Sequence, residues 1–425
     1  MPDHAPPAHI VVVGAGQAGA ALVAKLRASG YGGRLTLIGE EAAPPYQRPP
    51  LSKAYLLGEI DEERLWLRSD SFWQEHDITL KLGARVLALN AKAKTVTLAG
   101  EVLSYDELVL ATGAEPRRLP AAIGGDLAGV YPLRSLADIA RMRAEFQPGR
   151  RLVVVGGGYI GLEAAAVARK IGLSVTVVEA APRILGRVAA AETADYFRAL
   201  HHAHGVRIIE GVGVARLAGT GRVEAVVLED GREIAADFVV AGVGITPASA
   251  LAESAGLAIE NGIRTDARGR SSRPHIWAAG DCASFPLDGG QARLESVGHA
   301  IDHAELVAAN LLGAAQDYHA KPWFWSDQYG CKLQIAGLNT GYDRIVRRAP
   351  PDRDAARDTG PDAGPVAGPE TALSIWYYRG DRLLAVDAMN DPRAYMVGKR
   401  LIEAQKSADP ALVADPASDL KLLLR

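Results

Sequence analysis

The chain has 425 residues, with 47 Lys and Arg against 50 Asp and Glu and a formal net charge of −3. At about 150 residues per domain it should form two or three domains, and it carries no basic footprint for nucleic acid or an anionic membrane. No run of about 18 uncharged apolar residues is present, positions 1–8 lack the basic and apolar regions of a secretory signal, and Cys282 and Cys331, the only cysteines, lack C-x-x-C spacing. A cytoplasmic protein whose chemistry does not run on thiols is expected.

In chain order, the apolar run His9 to Val13 is followed by Gly14-Ala15-Gly16-Gln17-Ala18-Gly19, a helical stretch Ala20 to Ala28, a strand Leu35 to Ile38 and the acid Glu40. A glycine pattern alone is weak, but the strand, G-x-G-x-x-G, helix, strand and acid together form a dinucleotide-binding fingerprint. Each part has its own use: a tight turn, close backbone approach to a pyrophosphate, helix–sheet packing and a carboxylate for ribose hydroxyls. The unit recurs at Arg151 to Val155, Gly156-Gly157-Gly158-Tyr159-Ile160-Gly161, a helix through Lys170, a strand Val175 to Val178 and Glu179. Two such units predict two dinucleotides.

Leu108 to Leu110 is a buried strand running into Ala111-Thr112-Gly113, and Phe238 to Gly244 is its counterpart in the second unit. Ile276 to Ala279 is a further strand ending in Gly280-Asp281. Asp281 could be a solvated turn residue. The helical run Val297 to Leu312 that follows instead sets it beside strand ends, where it could accept hydrogen bonds from ligand hydroxyls. Beyond Lys321, the segments Trp323 to Gln328, Lys332 to Gly337, Ala372 to Arg379 and Arg382 to Asp387 read as strands of an antiparallel meander. The Pro-, Asp-, Ala- and Gly-rich stretch Ala349 to Glu370 reads as an exposed loop. The expected fold class is α/β, with two Rossmann-like domains and a C-terminal α+β domain. The boundaries are 1–115 with 245–322, 116–244, and 323–425.

Together, the two fingerprints, Arg48-Pro49-Pro50-Leu51-Ser52-Lys53, Ala111-Thr112-Gly113, Gly280-Asp281, Glu295-Ser296-Val297 and Phe324-Trp325-Ser326-Asp327-Gln328 resemble the putidaredoxin reductase family of FAD-dependent NADH:ferredoxin reductases. The resemblance runs from about His9 to the C-terminus. It implies FAD on the N-terminal unit, NADH (NAD+) on the second, no metal in the chain itself, and a two-iron two-sulfur ferredoxin as transient partner. A monomer or weak homodimer is expected.

By the same resemblance, Gly14, Gly16, Ala18 and Gly19 approach the FAD pyrophosphate, and Glu40 takes the adenosine ribose. Arg48, Thr112 and Gly113 belong to the flavin site. Val86, expected on a strand after Gly83, meets the adenine by its backbone, and Arg134, Asp281 and Val297 hold the flavin's phosphate, ribityl chain and ring edge. Gly156, Gly158, Tyr159, Ile160, Gly161, Glu179 and Gly244 form the NADH site. Lys53 falls where the family sets a lysine against the flavin, and Glu163 where a carboxylate lies near the nicotinamide and that lysine. Without the resemblance, Lys53 would be a solvated lysine and Glu163 a helix-surface glutamate.

Trp325 matches a position near the flavin edge facing the ferredoxin. Period-2 geometry puts Trp323 on the same strand face, although core packing of both is the alternative. Arg68 and Lys332 are candidate contacts for an acidic ferredoxin, and Glu305, basic in some relatives, would oppose it. Gly298-His299-Ala300 also departs from the Asn-Ala pair many relatives carry, and the loop Ala349 to Glu370 is longer than usual. Three other readings compete: a disulfide reductase, for which Cys282 and Cys331 have no cysteine partners in sequence, a redox-signalling flavoprotein like the apoptosis-inducing factors, and a reductase of another small carrier such as rubredoxin.

Overall fold

The computed structural model describes residues 6–349 and 371–424. It divides into two compact units, the first comprising Met1–Pro50, Ile60–Glu115 and Ile245–Pro322, the second Leu51–Glu59, Pro116–Gly244 and Trp323–Arg425. Among the described residues, no helix is long and apolar enough to cross a membrane.

The first unit is built on a parallel sheet in the order Ile276–Ala278, Glu107–Leu110, His9–Val13, Arg34–Ile38, Ile78–Lys81. His9–Val13 reads HIVVV and is buried from Ile10 onward, as a central parallel strand covered on both faces must be. On one face the helices Gln17–Ala28 and Val297–Leu311 pack through Ala18, Ala20, Ala300, Ala304 and Ala308, small residues that permit close approach. A second apolar cluster, including Leu98, Leu103, Tyr105, Leu257 and Cys282, closes the other face. Val86 packs against that cluster from an irregular segment between two strands. The strand after Gly83 begins only at Ala88, two residues beyond Val86.

The second unit repeats the plan with a parallel sheet in the order Arg207–Glu210, Ser174–Glu179, Arg151–Val155, Phe238–Ala241, Val130–Pro132. Its C-terminal part is an antiparallel sheet ordered Trp323–Gln328, Cys331–Gly337, Arg382–Met389, Leu373–Arg379, Arg344–Arg348. This corrects the expected meander. After Gly337 the chain crosses to the far edge and forms Arg344–Arg348, whose RIVRR sequence lacks the apolar run of a central strand. The strand can sit there because Arg348 is buried and donates to the carbonyls of Val413, Asp415, Pro416 and Ser418. Stretch 350–370 of the expected loop lies outside the described residues.

A further difference concerns Leu51–Glu59, which the sequence assigns to the first domain but which groups with the second unit. Its attachments there are specific. Ser52 and Lys53 bind Glu163, Glu59 pairs with Lys170 at 2.7 Å, and Arg143 lies over the Tyr55 ring at 5.6 Å.

Candidate functional site

Two glycine loops are built alike, one in each unit. Gly14 has φ +114°, and a Cβ there would meet the Ala111 carbonyl oxygen at 2.1 Å. A Cβ on Gly19 would meet the Gly14 oxygen at 2.0 Å. In the second loop Gly156 has φ +108°, its Cβ would meet the Gly242 oxygen at 2.4 Å, and that of Gly161 would meet the Gly156 oxygen at 2.2 Å. The first and third glycines of each loop are thus required by the protein's own backbone.

The middle glycines differ. Beyond the adjoining residues and the helix's own first turn, no protein atom lies within 4 Å of a Cβ on Gly16 or Gly158, and both have ordinary negative φ. Each is the N-cap of a helix that has no side-chain cap and no acid in its first turn. The first-turn N–H groups, with the positive end of the helix dipole, therefore face open space suited to a pyrophosphate. Both loops fit a dinucleotide on this ground.

This gives a prediction that separates folding from binding. Gly16→Val should fold with little change in Tm yet lose FAD, seen as a missing flavin spectrum. Gly158→Val should stay yellow but show a KM for NADH raised about tenfold or more, the effect of losing roughly 1.4 kcal/mol of binding. Retention of both ligands by these variants would remove the loops from the site.

Around the first loop, a Cβ on Gly280 would lie 2.8 Å from Ala18 Cβ and 3.8 Å from Ala300 Cβ. The Gly280–Cys282 turn carrying Asp281 is therefore wedged between the loop helix and the helix that begins at Val297. Ser296 Oγ caps the latter by accepting from the His299 N–H at 3.2 Å. Thr112 donates to the Ala248 carbonyl at 2.6 Å, and Ala248 N donates to the Gly113 oxygen at 2.9 Å, which ties the end of the strand Glu107–Leu110 to the returning chain. Glu40 is exposed and 3.4 Å from Arg85, whereas Arg48 pairs with the adjacent Glu41 at 2.6 Å and donates to Tyr46 Oη at 3.0 Å. Glu41 was not singled out in the sequence. Arg134 belongs to the second unit, just before the capping box of Ser135 and Asp138.

In the second unit, Glu179 Oε2 accepts from Gly157 N and Oε1 from Ala181 N, both at 2.7 Å. The carboxylate is thereby fixed beside the glycine loop. Ile160 is exposed, Gly244 follows the strand Phe238–Ala241, and the Tyr159 ring lies 4.8 Å from that of Phe324. Glu163, buried on the helix Tyr159–Ile171, binds Lys53 Nζ at 2.7 Å through Oε2, which also accepts from Ser52 Oγ at 2.9 Å. Its Oε1 accepts from Ser326 Oγ at 2.7 Å. The sequence pointed to Lys53 and Glu163, whereas the two serines entered only as letters within motifs.

Trp323 and Trp325 stack with centroids 5.3 Å apart and planes 20° apart, and both are only half-buried. Lys332 is exposed on the neighbouring strand. In the first unit a groove of about 510 Å³ is lined by Lys25, Arg68, Phe72, His76, Ile301 and Glu305 among others, so Arg68 and Glu305 share one surface there. Both thiols are buried. Burial raises that of Cys282 and pushes that of Cys331 up to about 11, and the two cysteines fall in different units.

The family model for pyridine nucleotide-disulphide oxidoreductases matches residues 8–304, and one for the reductase C-terminal domain matches 323–359 and 364–424. Rhodocoxin reductase of Rhodococcus erythropolis is 41% identical over 98% of this chain and 94% of its own. Putidaredoxin reductase of Pseudomonas putida is 40% identical over 98% and 96%. The crystal structure of the covalent putidaredoxin reductase–putidaredoxin complex superposes with a TM-score of 0.90 at 40% identity, covering 98% of each chain. The chain belongs to the pyridine nucleotide-disulphide oxidoreductase family, in the branch that contains putidaredoxin reductase and related ferredoxin–NAD(P)+ reductases.

Proposed function

We propose that the protein is a cytoplasmic NADH:ferredoxin reductase that holds FAD on the Gly14–Gly19 loop and NADH on the Gly156–Gly161 loop, and reduces a two-iron two-sulfur ferredoxin serving a monooxygenase or dioxygenase. The observation that carries this reading is the pair of uncapped helix N-termini whose middle glycines face open space. When bound, the flavin supplies the conversion of one two-electron hydride into two single electrons. The chain's residues bind, orient and balance charge. By the family resemblance Lys53, anchored by Glu163, is the cation that balances the negative charge the flavin gains on reduction. Asp281 and Thr112 contribute polar groups at the strand ends, and the cation-rich groove around Arg68 attracts an acidic partner.

Glu179 decides the coenzyme. A carboxylate held there by two backbone N–H groups pairs with ribose hydroxyls and repels a 2′-phosphate. NADH should bleach the flavin's yellow absorbance far more efficiently than NADPH. Glu179→Arg should shift the ratio of kcat/KM towards NADPH by about tenfold or more, a change of roughly 1.4 kcal/mol. Equal use of both coenzymes by the unmodified enzyme would contradict the placement.

A further inference from the structure

Glu163 Oε1 receives its hydrogen bond from Ser326, and that bond depends on a proton's direction. Ser326 is fully buried, and a hydroxyl has one hydrogen to give. Gln328 Nε2 lies 3.1 Å from Ser326 Oγ and donates to it, so the serine's hydrogen is directed to Glu163. Were the Gln328 amide reversed, its oxygen would face Ser326 and compete for that hydrogen. The amide is held from both ends: the Glu163 carboxylate can only accept and so takes the Ser326 hydrogen, and His201 Nε2 is 2.7 Å from Gln328 Oε1. Gln328 is 1% exposed and His201 fully buried, so bulk solvent reaches neither.

The same polarity assigns the histidine's tautomer. Its Nδ1 faces Tyr329 Oη at 3.3 Å. The Tyr329 ring stacks on His204, centroids 3.8 Å apart and planes 11° apart. Burial holds the His201 pKa down to about 4, with His204 and His202 adding to the same direction. At neutral pH the ring therefore carries one N–H. Because Gln328 Oε1 can only accept, that hydrogen belongs on Nε2, and Nδ1 accepts from the tyrosine. One polarity runs through the chain: Tyr329 to His201 to Gln328 to Ser326 to Glu163, ending on the carboxylate that holds Lys53.

We infer that His201 is a positioning residue for flavin reduction, fixing through Gln328 and Ser326 the orientation of the Glu163 carboxylate and hence of the Lys53 ammonium. The inference rests on the role proposed above for Lys53. It assigns to His201, on the helix Ala191–Ala203, a part that neither its position nor its neighbours in sequence announce.

Stopped-flow reduction of the FAD-loaded enzyme by NADH tests it, with Tm recorded for every variant. His201→Phe and Gln328→Met should lower the limiting rate about tenfold, the worth of one misdirected buried hydrogen bond, with little change in the NADH concentration giving half that rate. His201→Gln can offer an amide N–H where Nε2–H stood and should recover most of the rate. His201→Asn places its amide nearer the Nδ1 position and should not. The Gln-against-Asn contrast holds even if His201→Phe fails to fold, and a merely structural histidine would not produce it. Wild-type rates in His201→Asn and Gln328→Met, or equal rates in His201→Gln and His201→Asn, would overturn the inference. Should Lys53→Met also reduce at the wild-type rate, the reading of Lys53 has failed; if Lys53→Met alone is slow, only the role of His201 has.

Discussion

Replacing Lys53 by Met is expected to slow reduction of the bound flavin by NADH about 100-fold while FAD is retained, because a preorganised charge facing developing negative charge is worth roughly that factor. The lysine is not a loose surface group: its side chain is 20% exposed and that of Glu163 5%, with 2.7 Å between the charged atoms. Losing the cation leaves a buried carboxylate with hydroxyl donors from Ser52 and Ser326 but no counter-charge, which costs about 3–5 kcal/mol. The single variant should therefore also lose stability. Adding Glu163→Gln removes the unpaired charge, so the double variant should regain Tm but not rate. If rate and Tm return together, the pair is structural and Lys53 does not act on the flavin.

Trp325→Ala should lower ferredoxin-dependent cytochrome c reduction about 30-fold, as truncating a hot-spot tryptophan costs some 2 kcal/mol, while NADH-to-ferricyanide turnover stays near normal. The ring is half-buried and stacked on Trp323, and so is available as a flat contact, whereas a core tryptophan would be enclosed. Arg68→Glu should act on the same half-reaction through charge, with a loss that grows at low ionic strength, and Glu305→Arg on the same groove should act oppositely. If the ferricyanide and ferredoxin activities fall together, Trp325 is a packing residue and the electron exit lies elsewhere.

The parts of this site legible in the sequence are those in which each residue has a local reason. In Gly14 to Gly19 and Gly156 to Gly161 the glycines, the flanking strands and the closing acids occupy one contiguous stretch, and steric demand writes the first and third glycines of each loop directly into the chain. The support of Glu163 was not legible, because Ser52, His201, Ser326 and Gln328 come from three distant segments that only the fold unites. His201 stands in the run His201-His202-Ala203-His204 at the end of a helix, where basic residues ordinarily complement the dipole in solvent. Leu51–Glu59 reads as a continuation of the first domain because nothing in its composition marks Ser52, Lys53 and Glu59 as anchors to the second. The edge strand Arg344–Arg348 carries no strand signal in sequence, since three of its five residues are arginine and its buried Arg348 is satisfied by carbonyls that lie some 65 to 70 positions downstream.

Cytochrome c reduction by NADH, followed with and without an added two-iron two-sulfur ferredoxin, reads out ferredoxin-dependent electron transfer by this protein. Reduction by the flavoprotein alone should be slow, and the rate should rise with ferredoxin concentration, saturate, and weaken as salt is added. A rate indifferent to the ferredoxin at every concentration and ionic strength would contradict that electron transfer.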